Sequence, residues 1–262
     1  MAGSPDEADT AAGQSAGSGP IARAAYDQLA ASYSALAPTK PHNALYDRPA
    51  VMELLGPVAG ETVLDAGCGP GIYAELLLRG GAARVVSCDV SEQMITHANQ
   101  RVAAAGLAHR FSAHVHDLAT PLGFLADAEV DAVVAPLCLD YLPDWGPVFL
   151  EFRRVLRPGG RLVFSCEHPA STWRMGEIQQ SYFAVELTTC TWRGFGLPVD
   201  VPSYRRPLSA MLNPLAAAGF VLERFHEPVA SAAFLAAAGP SGEQLATRPG
   251  FLAVRAVLRP GP

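Results

Sequence analysis

At 262 residues, 50% hydrophobic and 17% charged, the chain can bury a substantial single-domain core, and its composition is not that of a disordered or fibrous protein. A formal net charge of -6 argues against the basic surface that tracks nucleic-acid phosphates. Cys68, Cys88, Cys138, Cys166 and Cys190 have neither disulfide nor metal-ligand spacing, and neither a signal peptide nor an apolar run of about 18 residues is present, so a cytoplasmic protein without metal or membrane partner is expected.

Residues 1–20 are rich in Gly, Ser, Ala and Asp and lack a hydrophobic period, which predicts a disordered tail. The run IARAAYDQLAASYSAL then sets Ile21, Ala25, Leu29 and Leu36 near one helical face, with Tyr26 and Tyr33 a heptad apart. PTKPHNALYDRP follows as a proline-bounded loop, and PAVMELLGPV as a helix stopped by Gly56 and Pro57. Residues 21–60 thus form an N-terminal helical segment ahead of a domain spanning 61–262.

ETVLDAGCGPG and IYAELLLRGG read as strand, tight glycine turn and helix. ARVVSCD ends in Asp89, and SEQMITHANQRVAAAG continues as a helix with Ser91 placed to cap it, which completes a βαβ unit. Further strands, RFSAHVHD, VDAVVAPL and RLVFSCEH, are separated by the helical DWGPVFLEFRRVL and the turn RPGGR, and such alternation implies a parallel α/β sheet. From 169 to 206 the alternation breaks, and SYFAVELTTCTW, RGFGLP and VDVPSYRR read as a β-hairpin inserted after the fifth strand. It holds Trp173, Tyr182, Phe183, Trp192, Phe195 and Tyr204, about twice the chain's 8% aromatic share, as binding surfaces often do. A helix around SAMLNPLAAAG, the strand GFVLERFHEP, an apolar loop and the strand FLAVRAVLR end the chain.

Glycines at the end of a strand let a ligand approach the backbone and the unpaired N–H groups of the following helix. A nicotinamide dinucleotide is the first rival as that ligand, but Gly67, Gly69 and Gly71 do not follow its G-x-G-x-x-G spacing, and Asp65 precedes them. A carboxylate there repels pyrophosphate and favours S-adenosylmethionine, which carries an ammonium and a sulfonium. Asp89, about twenty residues on, suits the ribose hydroxyls, Asp117 the adenine amino group, and Met94 the adenine face.

VLDAGCGPG (63–71), CDVSEQM (88–94), HDLATPL (116–122), VDAVVAPLCLDYLPDW (130–145) and RRVLRPGGRLVFS (153–165) together resemble the class I methyltransferases. The resemblance spans about residues 21–168 and is closest to the small-molecule branch that includes ubiquinone, menaquinone and natural-product methyltransferases. It implies a Rossmann-like, doubly wound, seven-stranded sheet, mostly parallel with a reversed last strand. It also implies that Asp65, Gly67, Cys68, Gly69 and Gly71 hold the methionine end of the cofactor, Asp89, Val90 and Met94 the ribose and adenine, Asp117 and Leu118 the adenine edge, and that Leu137 lies under the sulfonium. Tyr26 and Tyr33 resemble the tyrosines of a helix that folds over the cofactor as a lid; as core aromatics they would be equally at home. The fourth strand ends in APLCLDY, unlike DNA N-methyltransferases.

Methyl transfer needs two reactants held in line and water excluded, and a hydroxyl or acidic-carbon acceptor also needs a base. His168, in CEHP at the end of the fifth strand, is the expected base, with capping of the strand or contact without proton transfer as the alternative. Asp140 and Tyr141 after the fourth strand point to the same cleft or else serve the turn, and Arg205 and Arg206 either clamp an anionic acceptor or form a solvated hairpin edge. The expected activity is methylation of an O or C atom of a small, largely apolar metabolite. A protein that holds the cofactor for cyclisation or regulation is the alternative, macromolecular acceptors are disfavoured by the charge, and the hairpin suits a C2 homodimer contact.

Overall fold

The computed structural model describes residues 19–175 and 181–259, so the expected tail at 1–20 lies outside the described residues except for Gly19 and Pro20. In chain order the helices are α1 (Arg23–Leu36), α2 (Arg48–Leu55), α3 (Ile72–Arg79), α4 (Glu92–Ala104), α5 (Gly146–Val155), α6 (Pro169–Met175), α7 (Leu208–Ala217) and α8 (Ala232–Ala238). The strands are β1 (Thr62–Ala66), β2 (Arg84–Asp89), β3 (Phe111–Val115), β4 (Val130–Pro136), β5 (Leu156–Glu167), β6 (Glu186–Trp192), β7 (Val199–Arg205), β8 (Phe220–His226) and β9 (Phe251–Leu258).

Seven strands form one sheet in the order β3-β2-β1-β4-β5-β9-β8, and β9 runs antiparallel to both its neighbours. The inner strands are apolar on both faces because helices cover both. Leu64, Val86 and Phe164 pack toward Phe149 and Phe152 of α5, whereas Val63, Val85 and Val163 pack toward Leu54 of α2 and Leu77 of α3. The strand order reverses between β1 and β4, and at such a switch point the connecting loops part and leave a crevice over the carboxyl ends of the strands. β6 and β7 pair separately as the expected hairpin.

Several local expectations need correction. The proline-bounded loop contains a π-helical turn, His42–Asp47, that runs straight into α2. The apolar loop before the last strand is helical: the Ser231 hydroxyl accepts the Phe234 N–H at 3.1 Å and caps α8, whose Phe234 is fully buried. The RPGGR turn is drawn into the start of β5, where Gly159 takes a left-handed φ of 80°. α6 opens the insertion before the hairpin begins. No described helix is long and apolar enough to cross a membrane.

Candidate functional site

The loop after β1 and the loop after β4 touch closely. A side chain at Gly67 would place its Cβ 2.3 Å from the Cys138 Cβ, so only glycine fits there. Gly69 has open space above it, and its N–H donates to Asp89 Oδ2 at 2.8 Å. Asp89 Oδ1 accepts the Ser91 N–H at 2.9 Å, so one carboxylate ties the glycine loop to the end of β2. Burial raises the Asp89 pKa, against the pull of those amides. Across the crevice Leu137 sits at φ 50°, a strained backbone for leucine held by its N–H bond to the Ser165 carbonyl.

Around these loops opens a cleft that brings together Tyr26, Tyr33, Gly67, Cys68, Gly69, Asp89, Val90, Asp117, Leu118 and Leu137. At the Gly67 end it is also lined by Asp47, Arg48 and Tyr73, none of which the sequence had singled out. Asp47 is 3% exposed; its Oδ2 accepts the Tyr73 hydroxyl at 3.2 Å, and the Ser165 hydroxyl faces the same buried carboxylate. Burial pushes its pKa up to about 6. Arg48 donates to the Pro38 and Ala37 carbonyls, but its Nε is buried and unpaired. A buried carboxylate beside a guanidinium with an unpaired Nε suits the ammonium and carboxylate of an α-amino acid, so this end fits the methionine moiety of S-adenosylmethionine.

Asp65 is not at the lip of this cleft. The pleat of β1 sends Leu64 and Ala66 to one core and Val63 and Asp65 to the other side, so Asp65 lies fully buried, its carboxylate facing the Ala74 N–H and the Ser87 hydroxyl. Burial, and then the charge of Asp89, pushes its pKa up to about 7.

α1 covers the cleft from above. The Ser91 hydroxyl donates to Asp27, and Arg23 Nε donates to the Val90 carbonyl at 3.1 Å. Arg101 joins the Pro70 carbonyl of the glycine loop to the Ser34 carbonyl of α1. The Tyr26 and Tyr141 hydroxyls share a hydrogen bond of 2.7 Å, and Tyr33 packs edge-on against Tyr26. Beyond them a second cavity is lined by Asp140, Glu167, Trp192, Phe195 and Phe251 among others. Tyr26, Tyr33, Asn43, Leu137 and Tyr141 line both cavities.

Four expected site residues lie elsewhere. His168 lines neither cavity: its Nδ1 meets the Ala170 N–H at 3.1 Å and its Nε2 pairs with Glu227 at 2.8 Å, so both ring nitrogens are engaged away from the acceptor space. Met94 is fully buried outside the cleft lining. Gly71 is kept small by packing, because a Cβ there would sit 2.8 Å from the Ala98 Cα of α4. Asp65 is the fourth. Arg205 and Arg206 are neither a clamp nor a solvated edge: Arg205 is buried against Glu186 and the Ser181 carbonyl, and Arg206 stacks on Trp145 and donates to the Leu142 carbonyl.

Comparison with known proteins agrees with this geometry. Residues 64–164 match the family model described as a methyltransferase domain. A malonyl-[acyl-carrier protein] O-methyltransferase from Pseudescherichia vulneris is 31% identical over 204 residues, covering 72% of this chain and 75% of that protein. Methyltransferase GfsG of Streptomyces halstedii is 40% identical over 114 residues, 43% of this chain and 40% of its own length. A crystal structure of an S-adenosylmethionine-dependent methyltransferase from Mesorhizobium loti superposes with a TM-score of 0.64 at 25% identity, over 84% of this chain and 98% of that one.

Proposed function

The chain belongs to the class I S-adenosylmethionine-dependent methyltransferases, and we propose that within that family it methylates an oxygen or carbon atom of a small, largely apolar molecule of secondary metabolism. The observation that carries this reading is the shared wall of the two cavities. S-adenosylmethionine supplies an electrophilic methyl group on a positively charged sulfur, so the protein's task is to bind, align and exclude water. Asp47 and Arg48 would hold the amino-acid end, Asp89 the ribose, and Asp117 with Leu118 the adenine. The second cavity, walled by Trp192 and Phe195 of the hairpin, would take the acceptor, which places the transfer at Tyr26, Tyr33 and Leu137.

In this proposal residues 21–60 act as a helical lid and 169–206 cap the acceptor. Residues 176–180 of that cap lie outside the described residues. The acidic balance favours a small molecule over nucleic acid, and the free cysteines suit a cytoplasmic enzyme. A homodimer through the hairpin belongs to the same proposal; a concentration-independent monomer mass in sedimentation would remove it. Calorimetry should detect S-adenosylhomocysteine binding, and radiolabelled methyl from S-adenosylmethionine should reach a small organic molecule in extracts. Binding without any release of S-adenosylhomocysteine would replace this reading with that of a cofactor-holding protein that does not methylate.

A further inference from the structure

At the floor of the second cavity two carboxylates meet. Glu167 is the last residue of β5, and Asp140 stands in the single turn Leu139–Tyr141 after β4. The Glu167 backbone N–H donates to Asp140 Oδ2 at 2.9 Å, which fixes the Asp140 carboxylate against the end of β5, and both residues line the cavity. Asp140 is 5% exposed, yet lines the cavity. Among the described residues nothing donates to the Glu167 carboxylate, although it faces the same space. Burial raises the pKa of both groups, and the charge of Glu167 raises that of Asp140 further. The buried Arg206 guanidinium acts on Asp140 from behind.

We propose that Glu167, held beside Asp140, is the catalytic group that receives the proton of the methyl acceptor, and that the acceptor is an apolar molecule presenting one neutral hydroxyl or enol at this end. The inference rests on the methyl-transfer reading above. Two carboxylates lining one partly enclosed site repel each other when both are ionised, which favours keeping a proton there, and Arg206 offsets charge on Asp140. The floor is then close to neutral overall while still offering an acceptor oxygen, which selects a neutral donor over an ammonium or a carboxylate. The walls above, Trp192, Phe195 and Phe251, supply the apolar surface for the rest of the molecule. In the transfer, a lone pair of the acceptor oxygen, or the π pair of an enol whose carbon is the acceptor, forms the bond to the methyl carbon. The carbon–sulfur bond breaks with its electron pair left on sulfur, and the acceptor's proton passes to the Glu167 carboxylate.

The test needs no knowledge of the natural acceptor. The full chain, saturated with S-adenosylhomocysteine, is titrated with 1-naphthol and with 1-methoxynaphthalene, in which a methyl group replaces the hydrogen that Glu167 would accept. The wild type should prefer the naphthol by about tenfold or more, the factor expected of a hydrogen bond to a charged group. Glu167→Leu should bring the two affinities within about twofold, and Glu167→Gln, which preserves shape should the leucine variant fail to fold, should cut the preference several-fold. Equal affinity in the wild type, binding of neither probe, or a preference that survives the substitution overturns the proposal. Failure of S-adenosylhomocysteine to bind at all would instead sink the methyl-transfer reading, and that is measured first.

Discussion

Replacing Asp47 by Asn should make the empty protein more stable and the loaded protein weaker. In the folded chain burial raises this carboxyl from 3.8 to about 6. The sign follows: below the unfolded value both states are protonated and nothing is lost, whereas above it the folded state increasingly disfavours the ionised form, up to a plateau beyond about pH 6. The plateau is worth about 3 kcal/mol, and at about pH 4.5 less than about 1 kcal/mol has developed. Asn cannot ionise, so the variant escapes this penalty, although its amide NH2 is left poorly paired at every pH. The difference between variant and wild type should therefore grow by about 2 kcal/mol from about pH 4.5 to about pH 8. Urea unfolding of the cofactor-free proteins at the two pH values measures it. Binding should move the other way: without an anion for the ligand's ammonium, S-adenosylhomocysteine affinity should fall by about 10- to 100-fold. A stability difference that does not change with pH, or unaltered affinity, refutes the assignment of Asp47 to the amino-acid end.

Three further outcomes follow from the same geometry. Gly71→Ala forces a Cβ against the Ala98 backbone at a φ of 77°, so it should cost about 2–4 kcal/mol in urea unfolding while weakening the cofactor only through that loss. His168→Gln should lower stability by about 1–3 kcal/mol, since the buried ring's hydrogen bonds to the Ala170 N–H and to the half-exposed Glu227 are disturbed, and leave the methyl-transfer rate per folded molecule within about threefold; a hundredfold loss would restore His168 as the base. Asp65→Asn should stabilise the empty protein increasingly as pH rises toward about 7 and level off above it, because the folded carboxyl is raised to about 7; stability curves that stay parallel across pH would mean that Asp65 is not held uncharged beneath the loop.

The frame of the fold was legible because each part of it is written locally. Alternating apolar runs and helical patterns gave the βαβ order, and Gly67, Gly69 and Asp89 stand at strand ends where the switch point opens. Asp47 and Arg48 were illegible for a physical reason: they reach the glycine loop only because a π-helical turn, not an open loop, carries them onto the cleft. No periodicity in PHNALYDRP announces such a turn, and an Asp-Arg pair beside a proline looks like surface.

Asp65 and His168 lie away from the cavity linings for a reason chain order does not carry, which is the direction a side chain takes at the end of a strand. Chain order tells that a residue ends a strand at the right rim of the sheet, but a one-residue step moves its side chain to the opposite face. Along β5, Phe164 and Cys166 pack into one core cluster while Val163 faces the other. Glu167 has the parity of Val163 and lines the second cavity, whereas His168 is buried against Glu227 outside it. The histidine attracted attention because its ordinary pKa suits a base near neutral pH, and the neighbouring glutamate did not, because a free carboxylate is too weak a base. Burial beside Asp140 removes that objection, since it raises the carboxylate toward the pH at which it must take a proton. Placement therefore decides which neighbour can act, and the residue type that is suited in water need not be the one suited inside the fold.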